Sequence, residues 1–156
     1  MVDRLRITKT NAYKLDHRLR EPFTIAYKTM GYARNLLVII KATEGLAGVG
    51  EASPLKPATR DTREEALRFI KYASVFLKDS DPCDISRIHS ILDRVSGKMG
   101  FTSQTARTAI DAACFDMLGK TVKKPVYQIL GSTRPRVVPN TVTIYLRSLE
   151  DTTRKA

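Results

Sequence analysis

The hydrophobic pattern of this sequence changes its period near residue 60, and that change points to one fold class. Before it, apolar residues come in short strand-like runs. Leu36 to Ile40 in "NLLVIIKATEG" is the strongest, a continuous apolar run closed by the turn signal Glu44-Gly45. Leu5 and Ile7 alternate with Arg4, Arg6 and Thr8, which predicts a half-buried strand, with Tyr13 and Leu15 resuming its pattern beyond Asn11. "REPFTIAYKT" breaks at Pro22 and then continues as a strand-like run. "LAGVGEA" supplies a third short strand or bend, in which Gly48 and Gly50 allow another backbone to come close. Successive strands on short connections predict an antiparallel sheet.

After residue 60 the period is helical. Thr62 and Glu65 have the spacing of a capping box. Ala66, Phe69, Ile70, Ala73, Phe76 and Leu77 then mark one buried face. Ile85, Ile88, Ile91, Leu92 and Val95 predict a second amphipathic helix, closed near Gly97. A third carries Ala106, Ala109, Ala112 and Ala113 with Ile110 and Met117, and stops at Gly119. Small residues on most of its sides suit a central helix packed close to its neighbours. "PVYQILG" predicts a short fourth helix with Pro125 at its first position and Gly131 after its end. Strands followed by helices argue an α+β fold: a three-stranded antiparallel sheet, then a helical bundle. Composition breaks at Gly131–Pro139, where we place a domain boundary near residue 135.

At 156 residues the chain can bury a real core. No run approaches the ~20 apolar residues of a membrane span, and the N-terminus lacks a secretory apolar region. Cys83 and Cys114 follow no metal or redox spacing and read as reduced thiols of a cytoplasmic protein. His17 and His89 have no ligand-spaced partners, so zinc is not expected. The net charge of +11 raises the question of nucleic acid. The basic residues are scattered, however, and no nucleic-acid-binding motif is legible. A solvated basic surface, balanced by partner protein elsewhere, is the reading adopted.

The residues alone show no catalytic set. "GVGEA" lacks the Lys-Ser/Thr of a phosphate loop, and no helix follows it directly. Glu51 reads either as a site carboxylate or as a strand-end Glu bonded to backbone or to an Arg. Asp111 and Asp116, five apart, do not share a helix face well, and salt bridges or caps are the simpler roles.

Four stretches taken together resemble a known family. They are "PFTIAYKT", "NLLVIIKATEGLAGVGEASP", "TARTAIDAACFDMLGKTVKKPVYQILGS" and "VPNTVTI", in that order. The sequence resembles the N-terminal capping domain of the enolase superfamily, in its mandelate racemase/muconate lactonizing enzyme group. Within that group it is most similar to dipeptide epimerases of the L-Ala-D/L-Glu type. The resemblance covers nearly the whole chain. It implies a cap over residues 1–135. It also implies that residues 136–156 form the first strand, Val137–Ile144, and the helix start, from Ser148, of a (β/α) barrel whose remainder is absent from these 156 residues. A TIM barrel needs ~200 residues or more.

What the resemblance implies about chemistry lies mostly in that barrel. Its members hold Mg²⁺ through barrel carboxylates and abstract a proton α to a carboxylate with barrel lysines. No catalytic or metal-binding residue is therefore assigned here, and the chain alone is expected to be inactive. The cap's part would be to select and enclose a small anionic substrate through two loops, Phe23–Met30 and Ser53–Thr59. By motif, Lys28 would meet the substrate's distal carboxylate where the epimerase pattern has Arg. Lys offers a point charge where Arg offers a bidentate fork, so specificity for Glu-type substrates is open. Ala58 would pack on substrate, and Thr141 would lie near its other end. Each has a plainer reading: a solvated Lys, a loop Ala and a β-forming Thr. The implied partners are the barrel, as a missing or separate domain, and further copies of the chain. Alternatives within the resemblance are a muconate-type cycloisomerase, another acid-sugar or amino-acid-derivative enzyme, and a stand-alone binding module with the cap fold.

Overall fold

The computed structural model describes residues 4–25 and 28–134, with Val137, Pro139, Glu150 and Thr153. The strand expected at Val137–Ile144, the helix start from Ser148, and Thr141 fall essentially outside the described residues. Three strands, β1 (Ile7–Ile25), β2 (Lys28–Ala42) and β3 (Ala47–Ala52), form an antiparallel sheet in the order β1-β2-β3. Among the described residues, the helices α1 (Lys56–Thr59), α2 (Arg63–Leu77), α3 (Ile85–Met99), α4 (Gln104–Val122) and α5 (Val126–Ile129) follow. The α+β architecture expected from the change of period is the one observed.

β2 is central because it is apolar on both faces. Leu36, Val38 and Ile40 are fully buried toward the helices, while Leu37 and Ile39 are half-buried on the far face. β1 departs from the sequence reading. Its register slips between Ile7 and Lys9, so Thr10 and Ala12 lie opposite Ile40 and Val38, on the helix side. Tyr13 and Leu15 pair with Leu37 and Asn35 on the other face and do not continue the face of Ile7. The cause is a β-bulge, which adds a residue and reverses the alternation beyond it. Ile7 itself is tied elsewhere: its N–H donates to the Ser80 carbonyl at 2.8 Å, and its carbonyl accepts from Asp79 N at 2.9 Å.

The helices pack on one face of the sheet. Thr62 caps α2 in the expected capping box. The buried residues of α2 are Ala66, Phe69, Ile70, Ala73 and Leu77, with Phe76 only partly buried. α3 buries Ile88, Ile91, Leu92 and Val95 but runs past Gly97 to Met99, and Gly100 ends it at φ 67°. α4 likewise passes Gly119 and ends at Val122, where Lys123 takes the left-handed conformation at φ 54° and donates to the Gly119 carbonyl. Gly119 is small for a packing reason, since a side chain there would press on the Lys124 carbonyl. Pro125 is the N-cap of α5, one position earlier than expected.

α4 lies directly on β3. A methyl group on Gly48 would overlap the Ala113 carbonyl oxygen, and one on Gly50 the Ala109 carbonyl oxygen. This is the close approach that the two glycines predict. α4 also serves the free edge of β3. Asp116 Oδ2 accepts the Val49 N–H at 2.9 Å, and Lys120 Nζ donates to the Ala47 carbonyl at 2.8 Å. The two side chains pair with each other at 2.7 Å. An edge strand's unpaired backbone groups are thereby satisfied. The basic cluster at Lys120–Lys124 is partly accounted for by this role.

Candidate functional site

The half of the β1–β2 hairpin furthest from the core reaches beyond the helices. Between Arg18 and Phe23 the register slips again, with extra residues on β1. Pro22 lies in this stretch, where it has no N–H to give the ladder. Across from the hairpin stands the segment that leaves β3 and forms the one-turn helix α1. Asn35 joins the two. Its side-chain oxygen accepts from Ser53 Oγ at 3.1 Å, and its Nδ2 donates to Glu51 Oε1 at 2.5 Å. Glu51 is thus an exposed strand residue bonded to Asn35.

Two cavities open between hairpin and helix. One, of about 370 Å³, is lined by Lys28, Met30, Tyr32 and Arg34 of β2, by Leu55, Lys56 and Pro57 at α1, and by Arg63 and Glu64 of α2. The other, of about 570 Å³, is lined by Leu19, Phe23, Met30, Tyr32, Ala33, Ser53 and Leu55, with the charged Arg20 and Glu21 beside them. They share Met30, Tyr32 and Leu55, so a charged chamber and a more apolar one meet at the same three side chains.

The charged chamber is positive. Among the described residues, Lys28, Arg34, Lys56 and Arg63 face it with one acid, Glu64. Arg63 is engaged, donating to Asp16 Oδ1 at 2.5 Å with Glu64 at 3.7 Å. The alternation of β2 explains why Lys28, Arg34 and the buried Leu36 share a face. Such a chamber attracts a carboxylate or another small anion.

Of the residues singled out by sequence, Lys28 opens β2 and lines the charged chamber. Ala58 is exposed on α1, next to the lining residue Pro57, and lines neither cavity. Thr141 is outside the described residues. Sequence reasoning missed Arg34 and Tyr32, and it included Leu55 and Lys56 in the loop Ser53–Thr59 without singling them out. Arg34 could have been found, since it stands an even number of residues from Lys28 along one strand. Asp61 was missed as well. It lies just past α1 and is buried; burial disfavours its charge, but hydrogen bonds from Ser103, Thr59 and Thr105 prevail and hold its pKa below the usual carboxylate range. Among the described residues no group of three or more His, Cys, Asp or Glu side chains is placed to hold a metal ion. The residues at hand therefore do not fit a Mg²⁺ site. Asp111 and Asp116 are occupied separately, by His89 Nε2 at 2.6 Å and by Val49 and Lys120. None of the described helices is long and apolar enough to cross a membrane.

The profile of the family described as mandelate racemase/muconate lactonizing enzyme, N-terminal domain, matches residues 8–131, from the first strand past α5. The chain belongs to this family. The resemblance read from its motifs is borne out. A hydrophobic dipeptide epimerase of Enterococcus faecalis is 34% identical over 121 residues, which is 78% of this chain and 33% of that protein. An N-succinyl-L-Arg/Lys racemase of Bacillus cereus is 29% identical over 153 residues, 97% of this chain and 40% of that protein. Among solved structures, the E. faecalis dipeptide epimerase complexed with Mg and L-Leu-L-Tyr superposes with a TM-score of 0.87 at 29% identity, covering 96% of this chain and 41% of the other. The chain thus spans between a third and about two fifths of the length of these relatives. In the mandelate racemase/muconate lactonizing enzyme family it corresponds to the N-terminal domain.

Proposed function

We propose that this chain is the substrate-capping and specificity portion of a Mg²⁺-dependent epimerase or racemase. The parent would remove a proton α to a carboxylate and return it on the other face. In this reading residues 1–135 are the cap, and residues 136–156 begin the barrel. The proton-abstracting lysines and the metal-binding carboxylates belong to that barrel, so the 156 residues alone do not turn substrate over. The cap binds the substrate's far end, excludes water from it and sets which far ends are accepted.

The observation that carries the proposal is the sign of the chamber beside Lys28. Lys28, Arg34 and Lys56 line it with one acid, which favours a substrate with a distal anionic group. An acidic dipeptide has such a group, and so does an N-succinylated amino acid. A cationic dipeptide would meet like charge. The adjoining chamber, with Leu19, Phe23 and Met30, suits the apolar part of the same molecule. Lys28 is assigned to the distal carboxylate. Ala58 is assigned to the enclosing loop, and Thr141 to the other end of the substrate.

Two measurements test this. The reading frame beyond codon 156 should encode a barrel with a Lys-x-Lys motif; a stop codon with no barrel gene nearby would favour a stand-alone binding module. NMR titration of the chain with L-Ala-L-Glu should shift resonances of Lys28, Arg34 and Lys56, whereas L-Lys-L-Arg should not. Equal shifts with both peptides would remove the basis for an anionic substrate.

A further inference from the structure

Asp61 joins the loop after β3 to the N-terminus of α4. It is 2% exposed. Its Oδ1 accepts from Thr59 Oγ1 at 2.6 Å. Its Oδ2 accepts from Ser103 Oγ at 2.5 Å, from Thr105 Oγ1 at 2.7 Å and from Thr105 N at 3.3 Å. One oxygen therefore serves the loop and the other serves the helix.

Two of the three hydroxyls around it are already committed as acceptors. Thr59 Oγ1 accepts the Leu55 N–H at 2.9 Å, and Ser103 Oγ accepts the Ala106 N–H at 3.2 Å. Their protons are left to point at Asp61. The Thr105 N–H is a fixed backbone donor on the α4 side. Asp61 is thus met by donors on both oxygens, and only a group that accepts at both ends satisfies them. Between Thr59 and Asp61, Arg60 is held at φ 64°, a conformation disfavoured for a residue with a side chain. Such a residue persists where its surroundings over-determine it.

The chain of bonds runs from α4 through Asp61 and Thr59 to the amide of Leu55, which lines both cavities. We propose that Asp61 is a positioning residue for the loop 53–60, acting as a two-sided acceptor that fixes Leu55 and Lys56 against the substrate chamber. The inference rests on reading that chamber as the substrate-facing pocket. An Asn at position 61 would keep its oxygen toward the Thr105 N–H and turn its amide nitrogen toward Thr59. The loop would then be released while the α4 anchor survives.

Amide hydrogen exchange on the 156-residue chain tests this with Asp61→Asn, Thr59→Val and Thr59→Ser. In the first two variants the Leu55, Thr59 and Arg60 amides should exchange about tenfold faster or more, the effect of one lost buried hydrogen bond. Phe69 and Ile70 in α2 should be unchanged, and Thr59→Ser should retain wild-type protection. A role confined to capping α4 would speed α4 amides and leave Thr59→Val silent. That result would overturn the proposal, as would wild-type exchange at Leu55 in both variants. Should Asp61→Asn fail to fold, Thr59→Val decides alone, because it touches only the loop side. Titration with L-Ala-L-Glu separates this inference from the one beneath it. Shifts at Lys56 that weaken in Thr59→Val support both. No shift in the wild type removes the pocket reading and leaves the loop result to stand or fall by exchange.

Discussion

Gly50→Ala should unfold this domain more readily than its single added methyl suggests. The new Cβ would overlap the Ala109 carbonyl oxygen and press on the Ala113 amide nitrogen. Both are backbone atoms of α4, so no change of rotamer can make room. The helix must move off the strand by roughly an ångström, and a gap of 0.5–1 Å costs packed atoms about a quarter to a half of their contact energy. The atoms affected line a fully buried seam that includes Ala109, Ile110, Ala113 and Met117. Overpacking in cores typically costs about 1–3 kcal/mol, and a rigid backbone obstacle puts this case at about 3 kcal/mol or above. That is a large part of the roughly 5–15 kcal/mol that separates a native domain from its unfolded chain. Gly97→Ala is the matched control. It makes the same chemical change on an exposed face of α3, where nothing lies within 4 Å of the new methyl. Replacing a Gly in the last turn of the helix should stabilise by up to about 0.5–1 kcal/mol. Urea unfolding followed by far-UV circular dichroism reads both, with midpoints moving in opposite directions at similar slopes. A Gly50→Ala midpoint within about 0.5 kcal/mol of wild type would refute the close seating of α4 on β3.

Three further outcomes follow from the same structure. The folded pKa of Asp61 lies below its unfolded value, so its contribution is present above the usual carboxylate range and is lost as pH falls through the folded pKa. Wild-type stability should drop more steeply below about pH 4 than that of Asp61→Asn, and parallel pH profiles of the urea midpoint would contradict this. Burial, with Asp111 and Cys83 adding to it, pushes the Cys114 thiol up to about 12, while burial also raises Cys83. Ellman's reagent at mildly alkaline pH should therefore reach at most Cys83 in the native chain and both thiols after denaturation; rapid labelling of native Cys114 would count against its placement. Tyr13, Leu15, Leu37, Ile39 and Val49 share the sheet face turned from the helices, with Tyr13 51% and Val49 44% exposed. Sedimentation should show self-association that grows with concentration and weakens in Ile39→Glu, and a strict monomer at high concentration would refute it.

That sheet face also explains what the sequence concealed. Alternation places a strand residue only when one face is apolar and the other polar. Here Leu37 and Ile39 alternate with Leu36, Val38 and Ile40, so both faces of β2 are apolar and the pattern carries no phase. Tyr13 and Leu15 therefore fitted either side, and the bulge after Ile7 decided against the simpler one. Glycines misled for a related reason. Gly97 and Gly119 looked like helix stops, yet a glycine marks a stop when it takes the left-handed conformation, and here that conformation falls on Gly100 and Lys123. Where a local rule had one physical cause, it held. The Thr62–Glu65 capping box formed, and Gly48 and Gly50 admitted a helix backbone.

The site divides along the same line. Lys28 was singled out because a motif marks its place, and β2 places it at the rim of a cavity. Arg34, Lys56 and Asp61 have no motif of their own, and each gains its meaning from a contact across the fold. The contact of Asp61 with Ser103 and Thr105 spans more than forty residues of sequence. In "ATRDTREEA", Asp61 looks like one more polar residue before a helix. What sets it apart is burial, and burial depends on where α4 comes to rest. The glycines that seat α4 on β3 are therefore tied to the 53–60 loop. If Gly50→Ala displaces α4, it displaces Ser103 and Thr105 from Asp61. Amides at Leu55 should then lose protection although the substitution lies outside the 53–60 loop and does not touch Asp61.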